Sequence, residues 1–201
     1  MKLFFNAISY IFHPIFIPIY GTVAYFLSTP KYTPLEAQSG NILPIFILTI
    51  IIPIVSYLIL RNLGVVKSIF LSSIQERKYP IYIYITLLLL VLLKVIPNNY
   101  IAELYFFFVG LTGAAFACLI LLFFNFKTSL HLIGVSSLFM YLITLSIHFE
   151  INLLMGICLF ALILGLVASS RIYLKAHTRP ELVIGLLIGL LSQLLTVRFW
   201  L

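Results

Sequence analysis

Aspartate is missing altogether: all five acidic residues are glutamates. Magnesium and calcium sites rely on clustered carboxylates, so such sites are disfavoured and no metal or other cofactor is expected. Charge of either sign is scarce, at 8% of 201 residues, where a soluble domain carries roughly 25%. Cysteine is limited to Cys118 and Cys158, both inside apolar runs. They read as small buried hydrophobes, with no disulfide or zinc spacing. No A-x-A cleavage pattern follows the basic, apolar start Met1-Lys2-Leu3-Phe4-Phe5, so this stretch is expected to be an uncleaved first membrane segment.

Apolar sequence fills the space that charge leaves. Hydrophobic residues make up 63% of the chain and the mean hydropathy is +1.21. A transmembrane helix needs about 20 mostly apolar residues, and on that basis spans are expected near 3–27, 42–60, 81–97, 101–125, 129–147, 151–170 and 182–200. Pro14 and Pro18 interrupt the first, which leaves six spans plus one kinked or re-entrant segment as the alternative to seven. A polar loop is expected at 28–41, a tight turn at Pro97-Asn98-Asn99, and very short connections at Asn125-Phe126-Lys127 and His148-Phe149-Glu150. The predicted fold is therefore all-α: one polytopic integral membrane helix bundle of six to seven transmembrane helices, comprising residues 1–201 as a single domain.

Gly185 and Gly189 form G-x-x-x-G in the last span, and Gly110 with Ala114 repeats the spacing. Such residues let helices approach closely, either within the chain or in a homodimer. The formal charge of +7 is scattered between long apolar runs. It points to membrane lipids and topology signals as partners, not to nucleic acid.

Ionisable residues gather in three places. The most informative is Ser170-Arg171 … His177 … Glu181, with the spacing S-R-x5-H-x3-E. Lys127-Thr128-Ser129-Leu130-His131 is a second cluster and Arg77-Lys78-Tyr79-Pro80 a third. Arginine near hydrocarbon costs about 2.5–3.5 kcal/mol on insertion scales, so such residues usually mark a site. Arginine offers a planar fork of donors to phosphate, and histidine serves as nucleophile or general acid. The clusters lie between spans 2 and 3, 4 and 5, and 6 and 7, so all emerge on one membrane face. Together they predict phosphate ester chemistry at a membrane.

The third cluster resembles the last signature of the type 2 phosphatidic acid phosphatase superfamily, S-R-x5-H-x3-D, with glutamate in place of aspartate. The second is similar to that family's P-S-G-H, Ser129 and His131 matching while Thr128 and Leu130 replace proline and glycine. The first signature, K-x6-R-P, is matched at Arg77. Lys78 follows directly, proline comes only at Pro80, the lysine position falls on Phe70, and Lys67 is the nearest stand-in. The resemblance implies a divergent bacterial membrane branch with three signature loops on one face. It implies a metal-independent phosphatase acting through a phosphohistidine on phosphatidate, phosphatidylglycerophosphate or a polyprenyl pyrophosphate.

By position, the resemblance makes His177 the nucleophile, Glu181 its orienting carboxylate, and His131 the acid for the leaving alcohol and later the base for water. Arg171, Arg77, Lys127, Ser129 and Ser170 would hold phosphate oxygens, with Lys67 and Lys78 as further candidates. Glu181 has a competing expectation: Thr178-Arg179-Pro180-Glu181 is also a capping box, and one carboxylate is not expected to serve both roles fully. His13, inside the first span, is expected to bond a neighbouring carbonyl or to line the lipid entrance. Tyr79, Tyr82 and Tyr84 fit an interfacial aromatic belt.

Lysine and arginine number nine on the cluster face (Lys2, Arg61, Lys67, Arg77, Lys78, Lys127, Arg171, Lys175, Arg179) against three on the other (Lys31, Lys94, Arg198). Six of the nine belong to the clusters, so the positive-inside rule gives no orientation for the site in the bacterial inner membrane. Two other functions fit the same sequence. One is a lipid-binding or transport protein that kept the scaffold and lost hydrolysis; the other is a lipid phosphotransferase.

Overall fold

The computed structural model of the chain describes residues 1–68, 73–96 and 101–201. The turn expected at Pro97-Asn98-Asn99 and the lysine position at Phe70 lie outside the described residues. Among those described, the chain is helical with no strands, and seven segments are long and apolar enough to cross a membrane. The first segment, Lys2–Ser28, is broken: α1 (Lys2–Ile11) ends before His13-Pro14, a 3-10 turn covers Pro14–Phe16, and α2 (Ile17–Ser28) resumes. Pro14 lacks the N–H that would continue the helical ladder, which accounts for the break.

The second segment joins α3 (Leu35–Phe46) and α4 (Ile52–Asn62) through a wide π turn at Ile47–Ile51. Here the expected polar loop at 28–41 is corrected: the helix already starts at Leu35. Glu36 lies in its first turn, where a carboxylate favours the helix dipole. Ser39 and Asn41 bond back to the carbonyls of Glu36 and Ala37 at 2.9 and 2.8 Å, so these polar residues are satisfied within the helix. The third segment is α5 (Ile74–Leu90) with a second π turn at Val91–Val95. Arg77 and Lys78, expected in a loop, belong to this helix, because Ser73 caps it by accepting from Glu76 N–H at 3.3 Å.

α6 (Ala102–Phe123), α7 (Leu130–His148), α8 (Leu154–Tyr173) and α9 (Arg179–Val197) complete the bundle. α6, α7 and α8 end alike, each with a left-handed residue that is not glycine: Asn125, Glu150 and Lys175, at φ 57°, 53° and 51°. In each, the N–H of that residue and of the next turn back on the last carbonyls, as in Phe126 N to Leu121 O at 2.9 Å and Ala176 N to Arg171 O at 3.0 Å. This geometry makes short connections without glycine.

α7 is the central helix, packed by α2, α6, α8 and α9. Its buried Ser136 and Ser137 hydroxyls bond back to Leu132 and Ile133 carbonyls at 2.6 and 2.8 Å. The glycines of α9 explain its close approach. A Cβ on Gly189 would stand 2.0 Å from Ser136 Oγ and 2.4 Å from Ile133 O, and one on Gly185 2.9 Å from Ser129 O. Gly110 faces the Gln193 side chain of α9 in the same way, at 2.5 Å. The G-x-x-x-G spacing therefore serves packing within the chain, and a homodimer draws no support from it.

Candidate active site

Four of the sequence-predicted residues meet. Arg77 in the first turn of α5, His131 in the first turn of α7, Arg171 in the last turn of α8 and His177 in the following loop line one cavity of about 460 Å³. The two arginines and His131 are almost fully buried. Helix ends put them there. Ser129 caps α7, its hydroxyl accepting from Leu132 N–H at 3.5 Å, and this sets His131 two residues further on. The α8 helix runs past the expected boundary to Tyr173, so Ser170 and Arg171 sit on a helix, not in a loop.

Neighbouring groups fix each side chain. Arg77 Nη1 donates to Thr128 O at 2.7 Å, and Arg171 Nη1 to Ser9 Oγ at 2.9 Å. His131 Nε2 lies 3.1 Å from Ser9 O. A carbonyl only accepts, so Nε2 carries the proton and Nδ1 is left as the basic nitrogen. His177 Nδ1 lies 2.6 Å from Glu181 Oε2; by the same reasoning Nδ1 is protonated and Nε2 holds the lone pair. The expected conflict at Glu181 is resolved in favour of both roles: the same oxygen also accepts from Thr178 N–H at 3.4 Å, completing the capping box. One carboxylate thus orients the imidazole and starts α9.

Charge is uneven in this region. Burial, then the Arg77 guanidinium and Lys127, pull the His177 imidazole down to about 4, while Glu181 opposes them. His177 is therefore neutral at pH 7. Lys127 is also drawn below its ordinary value, first by burial and then by Arg77, with Glu181 opposing and Arg171 adding. An anion among these groups would relieve their mutual repulsion.

The remaining candidates take other positions. Lys127 Nζ donates to Ala176 O at 3.1 Å, tying the second cluster to the third beside the cavity. Ser129, expected to hold a phosphate oxygen, is fully buried, and its N–H donates to Glu181 O at 3.3 Å. Ser170 bonds Phe5 O at 2.9 Å and Ser9 Oγ at 2.7 Å, so it anchors α1 on α8. Lys78 Nζ sits over the Phe123 ring at 5.5 Å. Lys67 is exposed, its backbone N–H 3.4 Å from Glu76 Oε2. Neither lysine lines the cavity. No group of three or more His, Cys, Asp or Glu among the described residues is placed to hold a metal ion.

Ser9 was not anticipated. It is fully buried and serves Arg171 through its hydroxyl and His131 through its carbonyl. The available signal was a lone serine in an apolar segment, four residues before His13. Most of the remaining lining is apolar, including Pro53, Ile54 and Leu58 of α4, Ile81 of α5, and Leu111 and Ala114 of α6. Comparison with protein-family models, curated proteins and solved structures finds no match to this chain.

Proposed function

We propose that the chain is a lipid phosphate phosphatase of the type 2 phosphatidic acid phosphatase kind, working at a bacterial inner membrane. The observation that carries this reading is the cavity itself: two histidines and two arginines at one end, apolar walls from α4, α5 and α6 along the rest. A phosphate headgroup suits the first part and a hydrocarbon chain the second. The substrate class is a phosphatidate, a phosphatidylglycerophosphate or a polyprenyl pyrophosphate.

In the reaction, His177 Nε2 attacks phosphorus in line, forming an N–P bond as the P–O bond to the lipid breaks. Arg77 and Arg171 neutralise the non-bridging oxygens, where charge grows most in the transition state. His131 Nδ1 takes up the proton that a phosphate monoanion brings and passes it to the departing oxygen, then takes one from the water that cleaves the phosphohistidine. Glu181 keeps His177 in the right tautomer and stabilises the positive charge that develops on the ring.

Purified protein in detergent should release phosphate from these lipids, and His177→Gln should abolish both release and acid-labile labelling by a ³²P-lipid. Retained turnover in His177→Gln would sink the mechanism. The lipid-binding reading has one observation in its favour: His131 Nε2 and Arg77 Nη1 both already bond main-chain carbonyls. Tight lipid binding with neither release nor labelling would select it. Capture of the phosphoryl group by an added lipid alcohol would select phosphotransfer.

A further inference from the structure

The cavity contains a third histidine. His13 stands at the break of the first segment, and its ring lies 5.3 Å from that of His131, edge to face at 85°. Its Nδ1 accepts from Ile15 N–H at 3.4 Å, capping the Pro14–Phe16 turn. That bond requires a lone pair on Nδ1, so in the neutral ring Nε2 carries the hydrogen. Among the described residues no protein hydrogen bond is made to this Nε2, and it is not among the sealed, unpartnered polar atoms. The donor is therefore accessible, and His13 lines the cavity. Pro14, Ile15 and Phe16 follow it along the apolar wall, while His131 and Arg171 lie on its polar side. His13 thus stands where headgroup chemistry gives way to hydrocarbon.

We propose that His13 contacts the substrate, its Nε2–H donating to the oxygen that joins the phosphoryl group to the lipid chain. No direct hydrogen bond links His13 to His131, so one ligand oxygen can take the His13 bond and the His131 proton together. His13 stays neutral throughout; it holds the bridging oxygen in line and disperses the charge that collects there as the P–O bond opens. A bare phosphate has no oxygen joined to a chain, so the contact favours esters and anhydrides over the free anion.

The inference rests on the phosphatase reading, and one experiment separates the two. The chain holds four histidines, and His148, beside Glu103 at the far end of the bundle, is an internal reference. ¹⁵N-imidazole spectra of the protein in micelles are followed while monododecyl methylphosphonate, whose ester oxygen joins phosphorus to the chain, is added. His13, His131 and His177 should all shift and His148 should not. His13→Asn keeps a capping oxygen but shortens and replaces the donor; it should bind this ester about tenfold more weakly, as for one lost hydrogen bond, with an unchanged melting temperature. Shifts at His131 and His177 with His13 silent would overturn the inference and leave the phosphatase reading standing. Silence at all three would overturn both.

Discussion

Arg171 in the sixth span donates a hydrogen bond to Ser9 in the first, Nη1 to Oγ at 2.9 Å. The same serine holds His131 through its carbonyl and Ser170 through its hydroxyl, so α1 sets the orientation of one arginine and one histidine of the site. Ser9→Ala leaves Arg171 Nη1 without that bond in a buried setting, at a cost of about 1–3 kcal/mol. The melting temperature in detergent should fall, and phosphate release should fall with it. Ser9→Thr, which keeps the hydroxyl, should recover much of the release. A Ser9→Ala protein as stable and active as the parent would remove the Ser9 hydroxyl from the site.

The His177–Glu181 pair predicts a pH dependence. His177 has its pKa lowered from 6.5 to about 4, so the unfolded chain binds a proton there that the folded chain refuses between those values. Folding stability is then fully present above about pH 6.5 and is lost as pH falls toward about 4. Thermal denaturation across that window should show the loss, and His177→Gln should reduce it. The proposed mechanism needs the neutral imidazole, so the acid limb of kcat/KM should sit near 4 and not near 6.5. Glu181→Gln removes a group that supports protonation; it should move that limb lower and reduce kcat by on the order of 10²-fold or more.

Much of this was legible in the sequence because hydrocarbon length and charge scarcity are local properties. The seven segments and the convergence of Arg77, His131, Arg171 and His177 follow from apolar runs, parity and spacing. Helix ends were less legible. Leu35 to Asn41 reads as a polar loop, and only the back-bonds of Ser39 and Asn41 show why a helix accepts it. The dual role of Glu181 depends on one oxygen lying 2.6 Å from an imidazole and 3.4 Å from an N–H; i, i+3 and i, i+4 spacing allowed each role but not their coexistence. Ser9 and the α7–α9 contact through Gly185 and Gly189 are tertiary facts, set by which spans touch.

Those glycines are themselves testable. A Cβ at position 189 would meet backbone at 2.4 Å and Ser136 Oγ at 2.0 Å, contacts that side-chain motion alone does not relieve. Gly189→Ala should destabilise the protein by about 1–3 kcal/mol or more through overpacking, without changing its mass by light scattering. Loss of a dimer in that variant would instead place the glycines at an interface between copies.

At the opposite end of the bundle, Glu103 is buried at 2% exposure and accepts from Lys31, from His148 Nε2 at 3.1 Å and from Tyr25 O–H at 3.4 Å. These bonds tie the loop after α2 and the end of α7 to the first turn of α6. The Lys31 side chain is 53% exposed, so water screens much of its attraction. Glu103→Gln should therefore cost only about 1–3 kcal/mol, the range for disturbed buried hydrogen bonds. It should leave phosphate release per folded molecule unchanged, since none of these residues lines the cavity.

Glu150 offers a gain in place of a loss. It is exposed, ends α7 at φ 53°, and is far in sequence from every residue of the cavity. A left-handed residue with a Cβ costs roughly 1–2 kcal/mol, which glycine escapes. Some of that is returned because glycine gives the unfolded chain more freedom. Glu150→Gly should thus raise stability by about 1 kcal/mol, seen as a higher melting temperature, with phosphate release untouched. A decrease would mean that the Glu150 carboxylate has a partner worth more than the backbone strain it causes.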